Sequence, residues 1–455
     1  TENSMRVLKL IHGYPPTYNA GSEVYSQNLC HGLSENNQVH VFTREENSFL
    51  PDYTVRQEFD HLDSRILKHL INIPLIRQRY RYSHPKVDAI FGELMDKVVP
   101  DIVHIGHLNH LSTTLIWEIK KRNVPIVYTL HDYWLICARG QFLQRNPENS
   151  KEVWKFCDGQ ENRKCAERCY SGYFSGMESE KEDELEYWTH WFKIRMKHMR
   201  DVVKEVDLFV APAKYLLEKY KAYFYLSDDK LIYLDYGFDL ERLQNRKRNS
   251  KESFVFGYIG THTPQKGIHH LIEAFGKVKS NCRLRIWGRE RGDVTPALKD
   301  FVLKLPERKQ SLIDWVGEYQ NENIVQDVFN RVDAIVVPSI WEENSPLVIH
   351  EAQQARVPVI TANIGGMAEY VCHEVNGLLF EHRKVRDLCK QMERMAQNPL
   401  LAESLGERGY IYSEDGNVPD LSNHVHTLEK YYTSLIKMKK DESNGNKTWP
   451  MANNI

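Results

Sequence analysis

The sequence lacks a long hydrophobic run, an excess of either charge and a dense set of cysteines. No apolar run in its 455 residues approaches the roughly 18 to 20 residues of a membrane-spanning helix. Lys and Arg number 60 against 62 Asp and Glu, so overall charge gives no reason to expect a nucleic-acid partner. Residues 1–4, before Met5, indicate an expression remnant rather than a signal peptide. We therefore predict a cytoplasmic globular protein.

Short apolar runs alternate with helical patterns in two successive halves of the chain. This rhythm predicts an α/β fold with two doubly wound parallel sheets. A polar, basic stretch at 241–253 has the composition of a linker between domains. The predicted organisation is an N-terminal domain at 5–240, a second domain at 241–420 and a C-terminal helix at 421–440 that returns to the first domain.

Three stretches depart from the rhythm. An insertion at about 135–180 has little periodic pattern, and a long helix candidate follows at 183–207, whose aromatic face predicts either core packing or an acceptor or membrane surface. The stretch 65–86 mixes basic with apolar residues, which predicts a solvated helix or loop, or else a surface for an anionic lipid or a diphosphate.

Four of the eight cysteines crowd into the insertion. Their spacing does not match a paired C-x2-C pattern, yet four thiols in one irregular segment are able to bind structural zinc. The alternative is free thiols or opportunistic disulfides, and the sequence leaves the choice open for Cys137, Cys157, Cys165 and Cys169.

The most informative segment is 336–371, where an apolar strand is followed by a polar loop and a helix. Ser345 and Pro346 are predicted as the cap and first position of that helix. Free backbone N–H groups at such a helix start, including those of Leu347 and Val348, bind phosphate. Glu351 lies some 9 Å along the axis from Ser345, at about 1.5 Å per residue. Glu343 lies just before the helix, so two acids flank the anion site. This arrangement predicts an extended ligand such as a nucleotide sugar.

A second segment, 257–275, supports the same ligand. Gly260 ends a predicted strand, and Lys266 with Gly267 precedes a helix. A glycine lets a ligand approach the backbone, and a lysine supplies a point charge for phosphate. Both segments lie at carboxyl ends of strands in one domain, where open α/β sheets bind ligands.

These residues resemble the retaining glycosyltransferases of family four, which have the GT-B fold of two Rossmann-like domains facing across a cleft. ENSPLVIHE from Glu343 resembles their E-x7-E motif, and GTHTPQKG from Gly260 resembles their G-R-x4-K-G loop. YNAGSEVYSQNL, residues 18–29, resembles the N-terminal glycine loop, and HDYW from His131 the histidine segment. The resemblance covers almost the whole chain.

The resemblance implies a role for each matching position. Glu343 would contact the donor sugar, Lys266 the departing diphosphate, and His131 the sugar from the opposite domain. Glu351 would bind the ribose. The remaining donor-binding positions are Gly21 and Gly260, where the backbone approaches the ligand, Thr261, the amides of Asn344, Ser345, Pro346 and Leu347, and the base-binding residues Gly317, Glu318 and Tyr319.

Two features qualify the resemblance. Thr261 replaces the family's usual arginine, which shifts diphosphate charge onto Lys266 and the helix start, or onto an arginine such as Arg289. No Asp-x-Asp occurs in the chain, which predicts turnover that requires no metal cofactor.

The predicted activity is transfer of a hexose with retention, with UDP-glucose as the expected donor, to a glycan or lipid-linked glycan in exopolysaccharide or envelope polysaccharide synthesis. Peripheral contact with the inner face of the membrane is part of this prediction. The alternatives are a sugar-nucleotide epimerase of GT-B fold and a non-catalytic nucleotide-sugar-binding scaffold. The sequence leaves the base, the sugar, the acceptor and the oligomeric state open.

Overall fold

The computed structural model describes residues 4–74, 82–148, 151–249 and 253–445. Its strands are β1 Arg6–Leu10, β2 Gln38–Glu45, β3 Val55–Phe59, β4 Ile66–Asn72, β5 Ile102–Ile105, β6 Ile126–Thr129, β7 Leu143–Gln144, β8 Lys155–Phe156, β9 Leu208–Ala211, β10 Leu231–Tyr233, β11 Phe254–Ile259, β12 Cys282–Trp287, β13 Ile313–Gly317, β14 Ala334–Val337, β15 Val359–Ala362 and β16 Gly377–Phe380.

The α-helices lie between these strands and after the last of them. They are α1 Gly21–Leu33, α2 Pro85–Val98, α3 Leu115–Lys120, α4 Asn162–Cys169, α5 Lys181–Glu205, α6 Lys214–Phe224, α7 Ile268–Lys277, α8 Thr295–Leu303, α9 Glu307–Gln310, α10 Ile324–Asp327, α11 Leu347–Gln354, α12 Gly365–Tyr370, α13 Val385–Gln397, α14 Pro399–Arg408 and α15 Leu421–Ser443. Among the described residues, none of them has the length and apolar character that crossing a bilayer requires.

Two sheets organise the described residues. The first has the order β10-β9-β6-β5-β1-β2-β4-β3, in which only β3 runs antiparallel to its neighbour, and the second, entirely parallel, has the order β13-β12-β11-β14-β15-β16. Strands such as β5, β6, β9 and β14 are buried along their whole length. Their short continuous apolar runs follow from helices covering both faces of each sheet. The prediction of two doubly wound α/β units is confirmed.

Helix α15 follows the second sheet in sequence but packs on α1 beside the first. A Cβ at Gly32 would lie 2.6 Å from the Val425 side chain, so α1 and α15 approach closely there. Asn37 donates to Glu429 over 3.2 Å, and the hydroxyl of Tyr25 lies 2.6 Å from His424 Nε2. The exact domain boundary at residue 240 stays a prediction.

The structure contradicts the helix or loop predicted for the stretch 65–86. This stretch was expected to form a basic helix or loop, but residues 66–72 form the buried strand β4 and a helix begins only at Pro85. The cationic side chain that misled the prediction, Lys68, is itself buried, pairs with Glu58 at 3.3 Å and lies over the Tyr14 ring. Residues 75–81 lie outside the described residues, so a lipid or diphosphate surface there is untested.

The basic stretch predicted as a linker lies between β10 of the first sheet and β11 of the second. Up to residue 249 it also contacts the domain of the second sheet. Arg248 pairs with Asp333 at 3.1 Å, and Arg246 donates to the carbonyls of Phe329 and Val332. The basic side chains of this connection therefore have specific acceptors.

The aromatic face of helix α5 was predicted either to pack in the core or to form an acceptor or membrane surface. Trp188 and Phe192 pack with the insertion, and Met199 and Val203 belong to the core of the first domain. The aromatic and aliphatic face of the helix is therefore a packing face. Lys193 and Lys197 lie on its exposed side.

Candidate active site between the two sheets

The loop between β14 and α11 holds the first acid of the predicted motif. Glu343 is buried, and its Oε1 accepts hydrogen bonds from Lys266 Nζ at 2.7 Å and from Ser339 Oγ at 2.7 Å. Lys266 comes from the loop after β11, and its Nζ lies 5.9 Å from the centre of the Trp341 ring. The structure thus brings together the two segments that the sequence assigned to one ligand.

Helix α11 begins one residue later than predicted. Pro346 is the N-cap with ψ 118°, and Leu347 is the first helical residue. Ser345 therefore lies outside the helix, and its hydroxyl donates to Asp235 Oδ1 at 2.7 Å. Within the described residues, no side chain caps the start of α11.

Asp235, which follows β10, lies in the connection between the two sheets. Its side chain contacts the loop between β14 and α11, residues 338–346, which we call the donor loop. Its Oδ2 accepts from His350 Nε2 at 2.8 Å and from the Tyr410 hydroxyl at 2.7 Å. His350 Nδ1 lies 2.9 Å from the carbonyl oxygen of Pro346, which can only accept. Both ring nitrogens of His350 therefore act as donors, and the pair is an imidazolium with a carboxylate.

The pKa shifts of this pair agree with that assignment. Burial alone raises the pKa of Asp235, but the charge of His350 and the hydrogen bonds outweigh it and hold the pKa below its ordinary value. Burial lowers the pKa of His350, but the charge and hydrogen bond of Asp235 outweigh this and raise it. Each partner stabilises the charged form of the other.

His131 faces the donor loop from the first domain. Asn344 Nδ2 donates to the Tyr236 hydroxyl at 3.2 Å, and that hydroxyl lies 2.5 Å from His131 Nδ1. The tyrosine proton is then directed to Nδ1, which leaves the hydrogen of a neutral ring on Nε2. Nε2 is buried and makes no hydrogen bond within the described residues.

The surroundings of His131 hold it neutral. Burial lowers its pKa well below the ordinary value, and the nearby Lys9 ammonium lowers it further. Lys9 is itself fully buried, and burial lowers its pKa to about 8. The first domain therefore presents an uncharged N–H donor at this point of the cleft.

The second acid of the motif is held at a different place. Glu351 Oε2 accepts from Arg242 Nη2 at 2.9 Å, and both side chains are nearly buried. Burial raises the pKa of Tyr319, and Glu351 lies close enough for its charge to raise it further. The predicted ribose and base residues are thus adjacent.

The other predicted base residues lie at the end of β13. Gly317 has φ 93°, and Glu318 pairs with Arg289 at 2.9 Å. Arg289 Nη1 also donates to the carbonyl of Thr17 at 2.7 Å. Arg289, predicted as an alternative diphosphate ligand, therefore lies in a contact between the two domains next to Glu318.

Two glycines border the donor loop, and at one of them, Gly366, the backbone approach excludes any side chain. A Cβ at Gly366 would lie 1.2 Å from the carbonyl oxygen of Asn344, so only glycine fits beneath the loop. A Cβ at Gly21 would lie 3.8 Å from the Leu347 side chain, which brings the N-terminal glycine loop against the start of α11.

Gly260 and Thr261 form the turn that precedes Lys266. Gly260 has φ 153°, and a Cβ there would lie 2.7 Å from the Tyr258 hydroxyl. That hydroxyl donates to the carbonyl of Thr261 at 3.3 Å. The turn is therefore held by its own backbone and by Tyr258.

A group of histidines lines the first domain near His131. His12 and His107 follow β1 and β5, and their rings meet edge to face at 4.5 Å. His107 Nε2 lies 2.9 Å from Asp132 Oδ2, and Nδ1 accepts from the backbone N–H of Asn109 at 3.0 Å. Burial lowers the pKa of His12 well below its ordinary value. This wall is polar but carries little positive charge.

Sequence reasoning missed several residues that complete the site. They share no local motif, because each acts through a partner far along the chain. The one local signal was the position of Asp235 and Tyr236 directly after the apolar run at 231–234. The missed residues are Asp235, Tyr236, Arg242, His350 and Gly366.

The clustered cysteines are free thiols in the structure. Within the described ranges, no group of three or more His, Cys, Asp or Glu side chains is placed to hold a metal ion. Burial raises the pKa of Cys169 to about 11 and also raises that of Cys165. Structural zinc at Cys137, Cys157, Cys165 and Cys169 stays a hypothesis.

The fold and site define a protein of the GT-B class, in which two Rossmann-like units face each other across a ligand site. The family model described as "Glycosyl transferases group 1" matches residues 240–412, and the one described as "Glycosyltransferase Family 4" matches residues 20–242. Together they span most of the sequence. The chain belongs to the glycosyltransferases of family four.

Known relatives match over part of their length. The capsular polysaccharide biosynthesis glycosyltransferase CapM of Staphylococcus aureus is 26% identical over 46% of this chain and 57% of that protein. The UDP-Gal:alpha-D-GlcNAc-diphosphoundecaprenol alpha-1,3-galactosyltransferase of Escherichia coli is 29% identical over 35% of this chain and 40% of that protein. The matched region thus spans about half the length of these relatives.

Solved structures share the fold across the whole chain. Anabaena HepE in complex with UDP and glucose superposes with a TM-score of 0.63 at 15% identity, covering 94% of this chain and 100% of that one. At this identity the likeness concerns the fold alone.

Proposed function

We propose that the chain transfers a hexose from a nucleotide sugar, with UDP-glucose as donor, to a glycan acceptor with retention of anomeric configuration. The observation that carries the proposal is the contact of Lys266 with Glu343 at 2.7 Å beside the start of α11. A cation, free backbone N–H groups and an acid then meet where a sugar joins its diphosphate.

The chemistry follows from charge. The bond between the anomeric carbon and the diphosphate oxygen breaks, and a bond from the acceptor oxygen to that carbon forms on the same face. The acceptor proton passes to the departing phosphate oxygen. Lys266 and the backbone N–H groups of Asn344, Ser345 and Leu347 stabilise the negative charge as it develops, and groups already in position need no reorganisation.

His131 supports the same step from the opposite wall. Its neutral ring offers Nε2–H to a sugar oxygen without adding a positive charge next to the anomeric carbon, which becomes positive in the transition state. Glu351 and Tyr319 are assigned to ribose and base, so they contribute affinity rather than rate. Domain contacts such as Arg289 to Thr17 favour closure around the donor.

A lipid-linked glycan at the inner face of the membrane is the proposed acceptor, within exopolysaccharide or envelope polysaccharide synthesis. The activity named for the Escherichia coli relative, which acts on a diphosphoundecaprenol-linked sugar, supports this choice. Helix α5 also presents Lys193, Lys197 and Arg200 on its exposed side with Tyr187 and Ile194 beside them. Basic and apolar groups on one helical face bind anionic lipid surfaces.

Donor binding is tested by thermal shift with a panel of nucleotide sugars on the full chain and on Glu351→Gln. A ligand that binds only the folded state raises the Tm by mass action. We expect UDP-glucose to raise the Tm of the wild-type chain and to raise that of Glu351→Gln less, each measured against its own unliganded Tm. Glu273→Gln, in an exposed pair with Lys277 on α7, is the control.

The panel also separates the competing functions. No shift with any nucleotide sugar contradicts the proposal. A shift without transfer to any glycan acceptor favours the binding scaffold, and conversion of the donor to an epimer favours the epimerase.

A further inference from the structure

The cysteine-bearing insertion contacts both halves of the molecule. It leaves the first sheet after β6, yet Arg383 of the second domain donates to the carbonyl of Trp154 at 2.6 Å. The rings of Phe156 and His382 stack with centres 4.6 Å apart. The insertion therefore spans one side of the cleft.

A cavity of about 150 Å³ lies where the insertion meets the second domain. A second cavity of about 250 Å³ adjoins it and shares Arg139 and Tyr173 as lining residues. Gln265, which lines the first cavity, directly precedes Lys266 in the loop after β11. The cavity is therefore next to the proposed diphosphate site.

Two arginines give this region its charge. The guanidinium groups of Arg139 and Arg145 lie 5.9 Å and 5.1 Å from the centre of the Trp154 ring. Arg139 Nη2 donates to the carbonyl of Cys169, and its Nε is buried without a hydrogen bond within the described residues. Among the ion pairs of the described chain, none involves Arg139 or Arg145.

Other arginines of the same insertion behave differently. Arg163 pairs with Glu182 at 3.1 Å, and Arg168 pairs with Glu148 at 2.8 Å. Positive charge is thus neutralised at the outer surface of the insertion and left uncompensated at the cavity. Guanidinium groups match the geometry of carboxylate and phosphate, which are the ligands such a pair favours.

The rest of the lining suits a sugar ring. Trp154, Tyr170 and Tyr173 provide aromatic surface, and Gln141 and Gln265 provide side-chain amides. The C–H faces of a pyranose pack on aromatic rings, while its hydroxyls need amide partners at fixed positions. A bare inorganic anion would use the arginines and leave this surface unused.

We propose that the two cavities form an acceptor subsite for an anionic saccharide, a pyranose bearing a carboxylate or a phosphate. The assignment of this ligand to the acceptor rests on the proposed glycosyl transfer. Arg139 and Arg145 bind the anionic group, and Trp154 carries the ring. Because the cavity lies beside Lys266, a charged glycan bound there is next to the reacting centre.

Isothermal titration of the full chain in the presence of saturating UDP tests the proposal. The probes are glucuronate, glucose 6-phosphate, glucose and inorganic phosphate. We expect glucuronate or glucose 6-phosphate to bind at least tenfold more tightly than glucose, because a charged hydrogen bond is worth about 1.5 to 3 kcal/mol. The tighter of the two charged sugars identifies the anionic group as carboxylate or phosphate.

Matched variants locate the binding. Arg145→Gln should weaken the charged sugar about tenfold, consistent with loss of one charged hydrogen bond, and Arg163→Gln, in an exposed pair of the same insertion, should leave it unchanged. Arg145 is exposed, so its variant tests the site without removing a buried contact. An unchanged affinity in Arg145→Gln overturns the proposal.

Three further outcomes also overturn it. They are binding of inorganic phosphate as tightly as glucose 6-phosphate, no preference for charged sugars over glucose, and displacement of the sugar by UDP. A separate titration of UDP into the chain, with and without the charged sugar, keeps the two proposals apart. UDP that binds while no charged sugar does refutes the subsite alone, whereas absent UDP binding refutes the donor site.

Discussion

The two walls of the cleft carry charge in opposite ways. On the second-domain wall, Glu343 pairs with Lys266 at 2.7 Å and Glu351 pairs with Arg242 at 2.9 Å. On the first-domain wall, His131 is partly buried, its surroundings lower its pKa well below the ordinary value, and its ring is neutral. The second-domain wall thus presents ion pairs at these positions, whereas the first-domain wall presents a neutral ring at His131.

The difference matches the two substrates of the proposed reaction. A nucleotide sugar brings a diphosphate, which needs cations and oriented N–H groups. The reacting acceptor hydroxyl is neutral, and the anomeric carbon becomes positive, so a cation in place of the neutral His131 ring would oppose the reaction. The comparison predicts that removing charge harms the second-domain wall most, whereas adding charge harms the first-domain wall.

The largest effect is expected for Lys266→Ala. Loss of the cation beside the departing diphosphate should lower kcat about 10²- to 10³-fold, as for other preorganised groups that stabilise transition-state charge. UDP release at saturating donor measures it. Lys277→Ala, exposed on α7, is the control, and wild-type kcat in Lys266→Ala would remove this lysine from the reaction.

The next effect concerns stability and pH at the Asp235–His350 pair. Because the folded-state pKa of His350 is raised, its contribution is full below about pH 6.5 and is lost as pH rises through the folded-state pKa. Because that of Asp235 is lowered, its contribution is present above about pH 4 and is lost as pH falls through the folded-state pKa. The pair therefore stabilises the fold most between these limits.

His350→Gln tests this reasoning by urea unfolding at several pH values. Removing one partner of a buried ion pair should lower the free energy of unfolding by about 3 kcal/mol at pH 6, and by less at pH 9. The exposed His426→Gln serves as the matched control. A deficit independent of pH would show that His350 contributes packing and not charge.

A smaller effect is expected for His131→Asn, which sharpens the comparison on the neutral wall. Asparagine keeps an uncharged N–H donor at a changed position, so kcat should fall by about tenfold, less than the roughly 10²- to 10³-fold loss when such a donor is removed. The pH profile of kcat between pH 6 and 8 should be unchanged, because His131 does not titrate there. The exposed His61→Asn is the control. If the pH profile of kcat of the wild-type chain has a titration step between pH 6 and 8 that is absent from His131→Asn, the assignment of a neutral His131 is wrong.

The smallest effect is expected for chelation. The chain contains no Asp-x-Asp, and Lys266 with the backbone N–H groups addresses the diphosphate charge. Turnover in EDTA should therefore equal turnover in buffer, measured as UDP release after dialysis. Activity abolished by EDTA and restored by Mg²⁺ or Mn²⁺ would contradict this prediction.

Local sequence patterns predicted some strands correctly and failed at another. Short apolar runs predicted strands such as β11 and β14, because burial on both faces leaves a signal within five or six residues. The same reasoning failed at 66–72, where Lys68 is buried against Tyr14 and Glu58. A charged residue in a strand is interpretable only when its partner is known, and that partner lies elsewhere in the chain.

The sequence by itself determined the α/β rhythm, the pair of acids in E-x7-E and the lysine before α7, because each depends on spacing within one segment. Tertiary structure alone decided that Asp235 meets His350, 115 residues away, and that a tyrosine sets the tautomer of His131. Such contacts depend on how the two sheets and α15 pack together, and packing joins residues whose separation along the chain carries no periodic signal.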